Sequence, residues 1–484
     1  MDTAQLAPQL RAILGQRAVI SEREQLRTYE CDGLTGYRVV PALVVLPETA
    51  SHVQAAVRLC NEHNIPFVAR GSGTGLSGGA LPVEQGVLIV LTRMRRILEV
   101  DLPNQRVVVE PGVINLWITQ AVAADGYYYA PDPSSQLVCS IGGNVAENSG
   151  GAHCVKYGFT TNHVTGLEVV LPDGEIVQLG GKAPDAPGYD LIGTIVGSEG
   201  TLGIVTKVTL KVLRKPETVQ TLLAAYPTTD EAGATVSGII AAGIVPAAAE
   251  MMDALAIEAA EAAVHAGYPS DAGALLIVEL DGPAAEVAHQ FERVEAICHQ
   301  NGATQIRIAA DDEERVLMWK GRKSAFAAVG RISPDYYVQD GVIPRTALPA
   351  VLRAIAALGV AQGVRVANVF HAGDGNLHPL VLYDGAEEGA AERAEQAAGE
   401  ILDICLEHGG SITGEHGVGE DKKKYMPRMF SEDDLRTMQL LRCAFDPAGL
   451  CNPGKIFPTP RLCGEVPGHH HTHPVEAAGL ADRF

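Results

Sequence analysis

The residues best suited to chemistry fall in two short stretches of the C-terminal half. His371-Ala372-Gly373-Asp374-Gly375-Asn376-Leu377-His378 follows the apolar run from Val366 to Phe370, and Glu415-His416-Gly417-Val418-Gly419 follows Gly409-Gly410-Ser411-Ile412-Thr413. Two imidazoles and a carboxylate are the ligands a divalent first-row ion takes while keeping positions open. On a helix, His371 and His378 would stand roughly 10 Å apart, too far to share one ion. The Gly-Asp-Gly between them lets the chain fold back and the rings converge. Asp374-Gly375-Asn376 is also ordinary turn chemistry, so spacing alone leaves a metal site and a plain turn both open.

A second set of stretches is glycine-rich. Arg70-Gly71-Ser72-Gly73-Thr74-Gly75-Leu76-Ser77-Gly78-Gly79 contains a G-x-G-x-x-G pattern at Gly73–Gly78. A dinucleotide fold needs a strand before that pattern and a helix directly after it, so that a pyrophosphate meets the helix N-terminus. Ile65–Ala69 supplies the strand. Gly78, Gly79 and Pro82 exclude the helix, and the apolar run Val87–Leu91 follows. The expectation is a loop between two strands whose small residues admit a diphosphate to backbone N–H groups, or else a tight loop without a ligand. Gly142-Gly143-Asn144 through Asn148-Ser149-Gly150-Gly151 and Gly197–Gly203 are two further clusters, each beside an expected strand. A long, extended cofactor would require such an arrangement.

The elements that must carry these stretches follow from periodicity. Leu6, Leu10, Ile13 and Leu14 mark a helical lead-in over residues 1–37. Residues 38–217 alternate strands and helices: Ala42–Leu46, a helix with Val53, Ala56, Val57 and Cys60 on one face, Ile65–Ala69, Val87–Leu91, and a hairpin turning at Pro172-Asp173-Gly174. Pro131-Asp132-Pro133-Ser134-Ser135 is irregular. From 218 to 458 the texture becomes Ala-rich helices (252–266, 284–301, 346–363 and about 386–408) between strands such as Ala274–Leu280, an α+β pattern of ferredoxin-like type. Residues 459–484 read as an extended tail whose His469–His473 run is solvated. A net charge of −21 with no dense Lys/Arg patch argues against nucleic acid. No apolar run is long enough to span a bilayer, and no signal peptide is expected at Met1. The nine cysteines are scattered and never spaced C-x-x-C. They suit reduced thiols in a cytoplasm and exclude an iron–sulfur run in this chain.

Arg70–Gly79, Pro131–Ser135, Gly142–Asn144, Asn148–Gly151, Tyr157-Gly158 and Glu199-Gly200-Thr201-Leu202-Gly203-Ile204-Val205 resemble the vanillyl-alcohol-oxidase/PCMH flavoprotein family. The resemblance implies a two-subdomain FAD-binding domain over 38–217. It assigns Arg70, Gly71, Ser72, Gly73, Thr74, Gly75, Leu76 and Ser77 to the pyrophosphate. Pro131, Asp132, Ser135, Gly142, Gly143, Asn144, Asn148, Ser149, Gly150, Gly151, Glu199, Gly200, Gly203, Ile204 and Val205 would meet the rest of FAD. The first loop contains no His, which implies dissociable rather than covalent FAD.

The C-terminal half resembles the FAD-linked oxidase C-terminal domain of D-2-hydroxy-acid dehydrogenases, closed by a helical cap. That resemblance implies His371, His378 and Glu415 as ligands of zinc, manganese or iron, with His416 as the base. It implies Arg322, in Trp319–Phe326, as the clamp for a substrate carboxylate, since guanidinium pairs carboxylate bidentately. Asn452, in Cys451–Phe457, would touch the flavin. Some relatives carry an Asn two residues after the second His; here Leu380 stands there, which favours a small substrate. Trp319–Phe326, Val329–Tyr337 and Phe445–Leu462 are most similar to FAD-linked subunits of bacterial glycolate oxidases. The implied activity is oxidation of glycolate to glyoxylate, with hydride passing to flavin. A second flavoprotein subunit and an iron–sulfur subunit would carry electrons to quinone. The implied location is cytoplasmic, or peripheral at the inner membrane. A stand-alone D-lactate or D-2-hydroxyglutarate dehydrogenase and a non-catalytic flavin carrier are the alternatives.

Overall fold

The structure, a computed structural model, describes residues 3–183 and 187–458. The tail from Thr459, including the His469–His473 run and Cys463, lies outside the described residues. The lead-in helix is Thr3–Leu14; Leu6, Leu10 and Leu14 pack on helix Ala50–Glu62, while Ile13 is 46% exposed. That second helix begins where expected, with the Thr49 hydroxyl accepting from His52 N–H at 3.2 Å. Its Val53, Ala56, Val57 and Cys60 are all buried.

The first sheet has four strands in the order Val19–Ile20, Leu43–Val45, Val87–Val90, Phe67–Arg70. The last three run parallel. Both faces are covered, so the strands read as unbroken apolar runs. No helix separates Phe67–Arg70 from Val87–Val90, as the loop reading expects. The second sheet is antiparallel, in the order Ile97–Asp101, Arg106–Val109, Ile204–Lys211, Val164–Val170, Ile176–Gly180. Glycine clusters two and three sit at its rim.

The C-terminal half is built on a nine-stranded sheet and is α+β, as expected. Its longest ladder pairs Thr218–Tyr226 with Ala274–Gly282. Alternate residues serve opposite faces. Leu222, Ala224 and Tyr226 enter a core shared with helices Thr229–Ala241, Ala284–Gln300, Leu348–Gln362 and Ala390–Glu407. Leu223 and Ala225 face the other way, against helices Ala254–Val264 and Asp312–Val329. Helices therefore lie on both faces of the sheet.

After the cap helix Glu432–Phe445 the chain returns to the first sheet. Phe67 N–H donates to the Leu450 carbonyl at 2.9 Å, and Asn452 N–H donates to the Phe67 carbonyl at 2.8 Å. Leu450 and Cys451 complete the core of the N-terminal half. The buried Asn452 amide donates to the carbonyls of Gly79 and Glu199, at 2.9 and 2.7 Å. Replacing it with Leu leaves both acceptors unpaired at a cost of about 2 kcal/mol. The thermal midpoint of Asn452→Leu is expected to fall by about 2–4 °C; calorimetry that finds no change would show that the return segment does not hold the two halves together.

Candidate active site

His371 ends strand Arg365–His371 and pairs across the ladder with Glu250 of strand Ala248–Asp253. The pairing places His371 Nδ1 2.8 Å from Glu250 Oε1. The chain then turns at Gly375, whose φ of +83° suits glycine, and returns so that Asn376 pairs with His371. The rings of His371 and His378 come to 5.0 Å between centroids. The fold-back expected of the Gly-Asp-Gly is present.

Glu415 and His416 arrive on the loop after helix Ala390–Glu407. Glu415 Oε1 lies 3.2 Å from His371 Nε2 and 3.3 Å from His378 Nε2. The His416 ring stacks on His378, 5.0 Å away and 4° from parallel. Asp340 holds this loop. Its carboxylate accepts from Thr413 Oγ1 (2.6 Å), from the N–H groups of Gly414 (3.0 Å), Glu415 (3.2 Å) and His416 (3.0 Å), and from Lys422 Nζ (3.3 Å).

Among the described residues, two groups of side chains are close enough to share an ion: His371, His378 and Glu415, and Asp340, His378 and His416. Saturation separates them. A carboxylate has about four lone-pair sites, and those of Asp340 are engaged by the loop and Lys422. His378, common to both groups, has both ring nitrogens buried without a hydrogen bond, so the separation rests on Asp340, whose capacity is spent, against Glu415, whose carboxylate faces the two imidazoles. Glu250 fixes His371 through Nδ1 and aims Nε2 at the group, as a metal-bound histidine requires.

Arg322 is not a surface arginine. It is 3% exposed, and its guanidinium lies 2.6 Å from Glu250 Oε2. Lys323, the next residue, lines a cavity of about 990 Å³ together with Phe326, His378, Glu415 and His416. Leu380 is buried in the apolar core instead, so it does not bear on substrate size; Phe326, edge-on to His378, occupies that wall.

The cavity runs from this cluster to the glycine loops. Arg70, Gly71, Ser72, Gly73, Thr74, Gly75 and Leu76 line it from the first loop. Ser135, Gly142, Gly143, Asn144 and Ser149 line it from the second, and Glu199, Gly200, Gly203, Ile204 and Val205 from the third. The Arg70 side chain is spent on structure, donating to the carbonyls of Ala80, Tyr29 and Cys31. Ser77, Pro131, Asp132, Asn148, Gly150, Gly151 and Asn452 stand behind the wall. The Ser77 carbonyl accepts from Glu420 and Asp421 N–H, Pro131 accepts from Asn115, and Asp132 pairs with His153 at 3.0 Å. The Asn148 side chain accepts from Thr161 N–H; a Cβ on Gly150 would strike Glu415 Oε2 and Phe159, and one on Gly151 would strike Asp132.

Residues 215–456 match the family of FAD linked oxidases, C-terminal domain, and residues 41–180 match the FAD binding domain family. Glycolate oxidase subunit GlcD of Escherichia coli K12 is 53% identical over 455 residues, covering 94% of this chain and 91% of that protein. The Bacillus subtilis 168 protein of the same name is 42% identical, covering 89% and 92%. The chain belongs to the FAD-linked oxidase family. Its fold is that of p-cresol methylhydroxylase, superposing with a TM-score of 0.79 at 18% identity over 94% of this chain and 96% of the other. It is an FAD-dependent oxidoreductase.

The cavity suits that cofactor. Its volume lies in the range of ligand sites. Gly200 lines it with φ +67°, and a Cβ there would meet no atom within 4 Å, projecting into open space that a ligand can fill. The helix Ile141–Glu147, which the sequence does not announce, brings Ser140, Gly142 and Gly143 to the wall at its N-terminus. Seven of the described cysteines are free thiols. Among the described residues no helix is long and apolar enough to cross a membrane.

Burial and partners set the charges. Burial disfavours the charged form of His371, but Glu250 and Glu415 outweigh it and hold its pKa well above the imidazole range. Burial lowers His416 to about 4, leaving a neutral ring at pH 7. Two further carboxylates, half-buried Glu147 and buried Glu199, crowd Gly79 and Gly417; a Cβ on Gly79 would collide with Glu147, and one on Gly417 with both. Glu199 accepts from the N–H groups of Val418 and Gly419, each at 2.7 Å. Glu147 Oε2 has no partner. Burial and Glu199 raise Glu147 well above its usual value, and burial raises Glu199 to about 7. Glu147 is therefore the one that keeps a proton.

A raised carboxyl pKa stabilises the fold fully only below the unfolded value, about 4.3, and the gain is lost as pH rises through the folded value. The thermal midpoint should fall between pH 5 and 8. Glu147→Gln should flatten that fall and raise the midpoint at pH 8 by about 2 °C; parallel melting curves for both proteins would refute the pairing.

Proposed function

We propose that the chain oxidises a small 2-hydroxy acid, glycolate, to its 2-oxo acid, glyoxylate. The observation that carries this reading is that His378, Glu415 and His416 line one end of the large cavity, with His371 set against His378 and Glu415 behind them. The two GlcD proteins, which cover nearly the whole chain, support glycolate in particular. Bound FAD supplies the acceptor for a hydride. A divalent ion held by His371, His378 and Glu415 supplies Lewis acidity that lowers the pKa of a hydroxyl.

The protein's own groups do the rest. His416, neutral and half-buried on the cavity wall beside the ligand set, receives the hydroxyl proton. Its stack on His378 fixes the ring plane, so the accepting nitrogen is presented without rotation. Lys323, the cation on the cavity wall beside Phe326 and the histidines, pairs with the substrate carboxylate. Arg322 acts from behind by neutralising Glu250, which in turn orients His371. Phe326 narrows the cavity near His378 and limits the substituent on C2.

Partner subunits complete the reading. The relatives are named as subunits, and the scattered cysteines provide no cluster site. Electrons leave through a second flavoprotein subunit and an iron–sulfur subunit, which hold the protein peripherally at the cytoplasmic face of the membrane.

Anaerobic mixing with glycolate, D-lactate and D-2-hydroxyglutarate tests the substrate; glycolate should bleach the flavin fastest, and bleaching by D-2-hydroxyglutarate alone would sink the proposal. His416→Ala should keep its flavin yet bleach at least about 100-fold more slowly; normal bleaching removes His416 as the base. Dialysis against a chelator should slow bleaching at least about tenfold, with recovery on adding zinc or manganese; full activity in demonstrably metal-free protein would remove the ion from the reaction.

A further inference from the structure

We infer that Asp340 is the positioning residue of the active site, the group that sets the directions of Glu415 and His416 at once. The inference rests on the reading of His371, His378 and Glu415 as ligands and His416 as base. Glu415 and His416 are adjacent in sequence and must point differently, one toward two imidazoles and the other flat against His378. Side-chain rotamers alone do not fix that divergence; the backbone between them must be held.

Asp340 holds it. Three consecutive N–H groups, those of Gly414, Glu415 and His416, converge on its carboxylate at 3.0 to 3.2 Å. Thr413 Oγ1 adds a fourth donor from the same loop at 2.6 Å. Consecutive N–H groups point one way only when the loop curls around an anion, so this carboxylate dictates the loop's shape. Asp340 is itself immobile. It is wholly buried, precedes strand Gly341–Val342, and faces the buried ammonium of Lys422 at 3.3 Å. Its Oδ1 also stands 3.6 Å from His378 Nε2, so one carboxylate adjoins a ligand, the loop of another ligand, and the base.

A simpler role would be counter-charge to Lys422, whose burial demands an anion. The two roles separate in a double variant. Asp340→Asn places an NH₂ group among N–H donors and distorts the loop. Asp340→Asn combined with Lys422→Met removes the charge pair altogether, so any defect caused only by an unpaired ammonium disappears.

The experiment compares wild type, D340N and D340N/K422M, each as FAD-loaded protein, in three readouts: flavin content, zinc affinity by equilibrium dialysis, and anaerobic bleaching by glycolate. Both variants are expected to retain flavin, to bind zinc at least about tenfold more weakly, and to bleach at least about 100-fold more slowly with little change in half-saturating glycolate. Recovery of zinc affinity and bleaching to within about threefold of wild type in the double variant would overturn the inference and leave Asp340 as a counter-ion. So would wild-type behaviour of D340N alone. Wild-type protein that takes up no zinc overturns both this inference and the ligand reading. Wild-type flavin that glycolate fails to reduce overturns only the glycolate reading, since zinc affinity still reports on Asp340.

Discussion

One loop is held between two buried carboxylates, and the relation of the two halves of the chain follows from it. Gly414, Glu415 and His416 give their N–H groups to Asp340 of the C-terminal half. Val418 and Gly419 give theirs to Glu199 of the N-terminal half. Only Gly417, with φ +82°, lies between. A Cβ there would meet both Glu147 and Glu199, so the hinge between the clamps has to be glycine. Hydrogen bonds to ionised acceptors are worth about 1.5–3 kcal/mol each. Burying the carboxylates costs a comparable amount. The net yield is geometry rather than stability.

The same constraint explains why the glycine loops and the histidine cluster face one cavity. Residues Ser77 and Gly79 of the first loop are tied to the far end of the clamped segment, since the Ser77 carbonyl accepts from Glu420 and Asp421 N–H. Asn452 joins Gly79 to Glu199. A cofactor laid along glycine clusters contributed by the N-terminal half therefore ends beside side chains contributed by the C-terminal half. Neither half completes the site, and the C-terminal return to the first sheet prevents them from drifting apart.

What the sequence made legible was what is local. Glycine clusters, the H-x6-H turn and the Glu415-His416 pair are contiguous strings whose residue types limit what they can do, and all reach one cavity. The missing helix after Gly78 was readable for the same reason. Glu250, Asp340, Lys422 and Glu147 left no such signal. Each is a single polar residue within or beside an apolar element, and its meaning comes from a partner far away in the chain: Glu250 from ladder register with His371, Asp340 from the loop 74 to 76 residues later. Arg322 was recognisable by type but not by direction, because its ion pair depends on where the strand carrying Glu250 packs against the helix Asp312–Val329. Leu380 misled for a related reason: strand alternation turned it into the core.

The formal charges around the cluster give a reason for an ion beyond the donor set. Glu250, Glu415 and Asp340 bring three negative charges; Arg322 and Lys422 pair with the first and the third. That leaves Glu415 uncompensated, and without an ion the histidines must supply the balance by holding a proton, which is the direction seen at His371. In the proposed reading, a substrate carboxylate beside Lys323 would add another negative charge to the site. In that same reading, His371, His378 and Glu415 would hold a dication that balances Glu415 and the incoming anion together, and His371 would then carry no proton. His416 stays neutral because its desolvation outweighs the nearby carboxylates of Asp340 and Glu415, with His378 and Lys422 opposing a further positive charge. The different surroundings of the adjacent Glu415 and His416 thus follow from where the two clamping carboxylates sit.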